Sequence, residues 1–278
     1  YLILFIALSD IEKKYFFVFW IFSFFLIGLI DDIKKLSSTI KLVSIIVILL
    51  IFFYFDDNLL IYEFYSNIIS RNINLNFKNN FFLPIFFTIL CCLLFFNAMN
   101  MIDGQNGICS ITFFIYFISI ILIFPIFENL YEILILCLSF LIIFIFFNLN
   151  GKIFLGDSGN YLLSSIFIYY ILNLNHINNG ISGEKIFLLM SIPGLDMFRL
   201  FIQRLLNKQN PFNPDRKHLH HQIKDFLKND TKSLIFFTTL ILISIIFIFL
   251  FDVNYIIGIF SICLIYIIVI TYLKRFNF

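Results

Sequence analysis

The chain has 278 residues, of which 61% are hydrophobic and 13% charged, and its mean hydropathy is +1.00. A soluble domain of this length needs far more charge to cover its surface, so a soluble enzyme or binding module is excluded and an integral membrane protein is expected. The net charge of +2 says little by its sum, and no nucleic-acid partner is expected.

A spanning helix needs about 20 apolar residues. Residues 1–8 supply only a stub of apolar sequence without an initiator Met, which reads as the end of a span whose beginning, with the true N-terminus, is missing. Full spans are then expected at roughly 15–30, 38–55, 81–97, 107–125, 130–148, 159–175, 185–198, 234–251 and 254–273. The expected fold is therefore an all-α, polytopic transmembrane bundle in one domain, residues 1–278. Strands are not expected to span, because short segments of alternating polarity are missing. The segment 56–80 is the longest loop on its side, Asn-rich, and reads as a cover or a hairpin.

Alternating the connections puts loops 31–41, 97–107, 149–158 and 199–233 on one side with the C-terminal end. Of the 19 Lys and Arg, only Lys13, Lys14, Arg71, Lys78 and Lys185 fall on the other side. Cytoplasmic loops carry the excess of Lys and Arg, so the four loops are expected in the cytoplasm. The 42 phenylalanines, with abundant Ile and Asn and a single Trp, read as a compositional bias and not as an aromatic site. Cys91, Cys92, Cys109, Cys137 and Cys263 lie in or beside apolar runs without metal spacing, so they read as buried free thiols.

Compact polar motifs gather in those four loops. The first begins at Asp31-Asp32, directly after the uncharged run 15–30, and continues through Lys34, Lys35 and Lys41. A carboxylate costs about 2.5–3.5 kcal/mol near a bilayer centre, and two together also repel. Such a pair beside lysines suits a site handling phosphate and a divalent cation, whereas a plain helix end in water is the bland alternative. The second motif is Asn97-Ala-Met-Asn100-Met-Ile-Asp103-Gly-Gln-Asn-Gly107. Its Asn97, Asn100 and Asp103 recur every third residue, so a helix end aligns them, and such groups read a nucleobase or ribose edge.

The third motif, Gly151-Lys-Ile-Phe-Leu-Gly156-Asp157-Ser158-Gly159-Asn160, offers a carboxylate to a metal and a helix start to an anion. Ser158 alone is equally a helix cap. The fourth is Pro211-Phe-Asn-Pro-Asp215-Arg216-Lys217-His218-Leu-His220-His221. Three histidines without a cysteine make a poor zinc cage. Next to Arg216 and Lys217 they read better as an anion grip, the alternative being a basic loop on lipid headgroups. His176, alone in a loop on the other side, carries no function.

In this order and on one side, NAMNMIDGQNG, FLGDSGN and PFNPDRKHLHH resemble the polyprenyl-phosphate N-acetylhexosamine-1-phosphate transferases from about residue 15 to 221. These are the undecaprenyl-phosphate GlcNAc-1-phosphate transferases and, as a cousin, the MurNAc-pentapeptide translocase. The HxHH spacing sides with the N-acetylhexosamine branch. The resemblance implies about eleven spans, and a further cytoplasmic loop with phosphate-contacting residues ahead of this chain. It implies a multi-pass enzyme of the bacterial cytoplasmic (inner) membrane that moves N-acetylhexosamine 1-phosphate from a UDP-sugar to undecaprenyl phosphate, releases UMP and initiates envelope glycan or O-antigen synthesis.

By the same resemblance Asp157 is the main Mg²⁺ ligand (Mn²⁺ in its place is equally allowed), with Asn100 contributing. Asp31 and Asp32 lie beside it and position or deprotonate the lipid phosphate, and Lys35 and Lys41 hold phosphates. Asn97, Asn100 and Asp103 hold the nucleotide, while Arg216, His218, His220 and His221 close over the sugar and diphosphate. Pro193 and Asp196 match a Pro-x-x-Asp pattern leading to the histidine loop. Asn106 stands where the family usually has Asp, Gln105 where a small or branched residue is common, and Asn160 where Ser is common. The sequence leaves direct attack and an aspartyl intermediate open, and likewise monomer and homodimer. A transporter would place its charges near span centres and show repeat symmetry, neither of which is present. An inactive scaffold of the same fold draws support only from Asn106 and the missing start.

Overall fold

The computed structural model describes residues 11–68, 71–77, 80–124, 128–177, 182–209, 216–251 and 254–276. The stub 1–8 and the segment Pro211–Asp215 of the fourth motif lie outside them. Apolar runs that close their own backbone hydrogen bonds become helices at each of the nine expected positions. These are α1 (Ile11–Lys34), α2 (Ser38–Phe55), α3 (Phe82–Ile102), α4 (Ile108–Ile123), α5 (Glu128–Leu149), α6 (Gly156–Ile177), α7 (Gly183–Leu206), α9 (Asp230–Leu250) and α10 (Tyr255–Phe276). A short amphipathic helix, α8 (Leu219–Leu227), precedes α9.

Among the described residues, seven of these helices are long and apolar enough to cross a membrane, and the chain is a multi-pass membrane protein. The other two depart from the expected nine full spans. Helix α4 has 16 residues, and α6 carries Asp157, Ser158, Asn160, Ser164, Ser165, Asn173, Asn175 and His176. The segment after α2 resolves into a hairpin, β1 (Glu63–Ile68) antiparallel to β2 (Arg71–Asn76), with Glu63 opposite Asn76. It is tied down by Ser66, whose hydroxyl bonds the Glu184 carboxylate at the start of α7.

Helix α1 packs along α6, and its sequence shows why. Phe17, Trp20, Phe24, Ile27 and Asp31 are all buried and recur every three or four residues, one stripe of a helix. Trp20 Nε1 donates to Ser165 O at 2.9 Å, satisfying the indole inside the bundle. Phe24 stacks on Phe96 of α3 with centroids 4.8 Å apart, and Phe95 stacks on Phe167 of α6 at 4.5 Å. Gly28 continues this face. A Cβ there would lie 2.4 Å from Asp157 O and 2.5 Å from Ser158 Cα, so only glycine lets the end of α1 touch the start of α6.

Polar contacts gather the other loops at the same end. Asn148 on α5 accepts from Gly107 N at 2.7 Å and from Ser110 Oγ at 3.2 Å, and donates through Nδ2 to Ile153 O at 2.8 Å. Gln105 donates to Asp230 O at 2.8 Å and accepts from Ser233 Oγ at 3.1 Å, joining the α3–α4 turn to α9. Behind Gly104 stand His220 and His221 of α8, since a Cβ on that glycine would come within 2.3 Å of His220 Nε2. The four polar loops therefore meet at one end of the bundle, and the hairpin lies toward the other.

Candidate active site

A cleft of about 570 Å³ opens where these loops meet. Asp31, Asp32, Asp103 and Asp157 line it together with Lys35 and Lys41. Four carboxylates against two ammonium groups leave the cleft negative.

Asp31 completes the buried stripe of α1. Its carboxylate pairs with Lys41 Nζ from the start of α2, and the same ammonium lies 3.0 Å from Asp157 Oδ2. Lys35 ends α1 in the left-handed region (φ +49°), which turns Leu36 N back onto Asp31 Oδ1 at 2.6 Å. The buried charge is thereby both paired and hydrogen-bonded, as burial demands.

Asp32 does something else. Asp157 N and Ser158 N donate to its Oδ1 and Oδ2 at 2.9 and 3.1 Å. It caps α6 from another helix, and the anion that meets this helix start is the protein's own. Gly156 makes room for it: its φ is +67°, and a Cβ would lie 2.9 Å from Asp32 Oδ2. The bond expected of Ser158 as a cap is thus supplied by Asp32, on the order of 0.5–2 kcal/mol of helix stability.

Asp103 follows the last residue of α3. Burial, and then the neighbouring Asp157 and Asp32 charges, push its carboxyl up to about 7. The unfolded chain loses this proton near 3.9, so the folded state is penalised as pH rises from about 4 to about 7. Asp103→Asn is expected to raise the melting temperature at pH 8 and to leave it unchanged near pH 4. Melting curves in detergent at both pH values check this, and an equal shift at both would refute the buried-carboxyl account.

The histidines stand beside the cleft without lining it. His220 is buried, with neither ring nitrogen hydrogen-bonded, and burial followed by His221 holds its pKa down to about 3. The ring is therefore neutral, not the cation that its basic neighbours suggest. Burial and the Arg216 charge likewise lower His221. Arg216 is exposed and does not line the cleft.

The profile of the family described as Glycosyl transferase family 4 matches residues 15–175. The chain belongs to that family. All the residues that line the cleft fall inside the matched stretch of the family 4 profile, whereas the histidine segment follows it. A Thermotoga maritima protein named undecaprenyl-phosphate alpha-N-acetylglucosaminyl 1-phosphate transferase is 29% identical over 222 residues, 78% of this chain and 64% of that protein. A protein of the same name from Escherichia coli K12 is 29% identical over 147 residues, 50% of this chain and 40% of the other. The chain thus spans less than two thirds of the length of these relatives.

Within this family 4 frame the structure gathers Asp31, Asp32, Lys35, Lys41, Asp103 and Asp157 around one cleft and sets His220 and His221 against its Gly104 edge. Asn97 and Asn100 remain outside. Helix α3 runs on to Ile102, so both asparagines are half-buried on that helix and do not line the cleft. Asn148, Gln105 and Asn106 join the lining. Asn148 is a residue that reasoning from motifs misses, because it sits at the end of an apolar run with no signal beyond being polar there. Asn160 is buried and donates to Met99 O at 2.9 Å, a tie between α6 and α3.

Proposed function

We propose that this protein transfers N-acetylhexosamine 1-phosphate, GlcNAc 1-phosphate foremost, from its UDP-activated form to undecaprenyl phosphate, releasing UMP and initiating a cell-envelope glycan. The observation that carries the reading is Lys41 held between Asp31 and Asp157 in a negative cleft at the ends of apolar helices, in a family 4 chain. In this reading all nine long helices cross the bacterial inner membrane and the cleft end faces the cytoplasm, in line with the Lys and Arg distribution. A lipid phosphate at headgroup depth and a soluble sugar nucleotide then reach the same place.

A bond forms between a lipid phosphate oxygen and the β-phosphorus of the sugar nucleotide. The bond from that phosphorus to the oxygen bridging it to the α-phosphate breaks, and UMP leaves with the bridging oxygen. Alignment and charge neutralisation do most of this work. Lys41 and Lys35 draw the phosphates to the cleft edge. Asp32 fixes the first turn of α6 and so the aim of Asp157. Asp31, paired and buried, sets the position of Lys41. The apolar outer faces of the helices receive the prenyl chain.

Asp157 is the cleft carboxylate that would hold a divalent cation, with Asp103 also on the lining, while Asp31 is taken up by Lys41 and Leu36 N. No three acidic, His or Cys side chains among the described residues form a complete cage. That suits Mg²⁺ or Mn²⁺, which keep waters and take substrate phosphates as ligands. When bound, such an ion neutralises the charge gathering on the diphosphate.

The test is UMP release by the full-length protein in proteoliposomes containing undecaprenyl phosphate, with a panel of UDP-sugars and Mg²⁺ or EDTA. Turnover with UDP-GlcNAc that EDTA stops is the expected result. No release with any UDP-N-acetylhexosamine would overturn the reading.

A further inference from the structure

The most heavily hydrogen-bonded carboxylate among the described residues is not in the cleft. Asp196, on α7, is buried, and its Oδ1 accepts from Arg199 Nη2 at 2.7 Å and from Tyr266 OH of α10 at 2.8 Å. Its Oδ2 accepts from Leu219 N at 3.0 Å and lies 3.3 Å from His218 Nδ1. Arg199 adds a bond from Nη2 to Lys217 O at 2.7 Å and one from Nε to Tyr266 OH at 2.9 Å. Three consecutive residues, 217 to 219, are thus pinned to one carboxylate and its arginine. Leu219 is the first residue of α8, so Asp196 also caps the histidine helix from outside.

The network aims one ring. A carboxylate on Nδ1 selects the histidine form that is protonated there, and it fixes the ring's rotation. The nitrogen left for a ligand is Nε2. The His218 ring runs nearly parallel to that of His220, with an interplanar angle of 14° and centroids 5.9 Å apart, and His220 abuts Gly104 at the cleft edge. A change in the set of His218 therefore reaches the cleft through one neighbouring ring.

We infer that Asp196 is a positioning residue that fixes the His218 ring through its Nδ1, beside the cleft that the proposed reaction uses. The inference rests on the transferase reading above. A plain helix cap would explain the Leu219 bond. It would not require the same oxygen to meet the imidazole, nor Tyr266 and Arg199 to lock the other oxygen.

Two measurements test it, both on full-length protein in detergent or proteoliposomes. In ¹⁵N-histidine spectra, the resonances lost in His218→Gln identify this ring. They are expected to report protonation at Nδ1 and to move in Asp196→Asn. In kinetics, Asp196→Asn and His218→Gln are each expected to lower kcat by about 10- to 100-fold, the range for groups that orient a functional histidine. The double variant is expected to be no worse than the weaker single one, because the two act as a unit. A His218 ring protonated only at Nε2 overturns the inference, whether or not Asp196→Asn folds. So does a double variant whose loss is the product of the single losses. Turnover by the unsubstituted protein with an undiminished Asp196→Asn variant overturns this inference alone. No turnover by the unsubstituted protein overturns the transferase reading, while the ring spectra still decide whether Asp196 positions His218.

Discussion

Asp157→Asn is expected to reduce UMP release by on the order of a hundredfold to a thousandfold, as several kcal/mol of transition-state charge stabilisation are lost. The fold should survive it. Asn has the same shape, and the bond that seats the helix start runs from the Asp157 backbone N–H to Asp32 and does not use the side chain. What changes is the charge. Lys41 would retain Asp31 as its ionic partner and lose the other, and the cleft would lose the carboxylate proposed to hold a divalent ion. Two readings check this: UMP release, which should collapse, and the melting temperature in detergent, which should hold. Retained turnover would remove Asp157 from the metal role. A large drop in melting temperature would show the substitution acting through the fold instead.

Gly28→Ala is expected to lose both stability and turnover, although Gly28 is no candidate for touching substrate. The added methyl meets backbone, Asp157 O at 2.4 Å and Ser158 Cα at 2.5 Å, and backbone does not give as a side chain would. Helix α1 has to move off α6, taking Asp31 and Asp32 with it. Overpacking of this kind costs about 1–3 kcal/mol, to which the weakened Asp32 cap adds. Gly194, with nothing within 4 Å of its would-be Cβ, provides the control. In that helix interior alanine should be neutral or slightly stabilising, because glycine there carries a penalty of roughly 0.5–1 kcal/mol. Equal melting temperatures for the two alanine variants would sink the close-contact account of Gly28.

Much of this was readable from residues alone, and the reason is physical. In a bilayer a run of about twenty apolar residues has one main backbone solution, so each of the nine stretches became a helix, though α3 and α7 run on five and eight residues past their expected ends at 97 and 198, to Ile102 and Leu206. The cleft was legible because alternating helices put every second loop on one side, which brought Asp31, Asp103 and Asp157 together on topology alone. Finer roles were hidden. Asp31 and Asp32 are adjacent in sequence and look interchangeable, yet the 3.6-residue period turns one into the buried stripe and the other onto the start of α6. Asn97 and Asn100 share a spacing with Asp103, but spacing aligns residues along a helix without saying how far along it a cleft reaches. Asp196 offered only a Pro-x-x-Asp pattern. Its partners His218, Leu219 and Tyr266 lie 22, 23 and 70 residues away, and no local signal marks such contacts.

The bond from Asp157 N to Asp32 spans 125 residues of chain. During synthesis, α1 therefore enters the membrane long before its partner has been translated. Helices insert first and pack afterwards, so through that interval Asp31 and Asp32 sit at the end of an apolar helix with only the lysines of their own motif, Lys34, Lys35 and Lys41, near in sequence. The cleft comes into being late, when α6 arrives. A nascent chain arrested before Gly156 holds every helix up to α5 and three of the four cleft carboxylates, but not the fourth that Lys41 joins to Asp31. Any factor that shelters unfinished membrane proteins would find in that intermediate a charged helix end waiting for its counterpart.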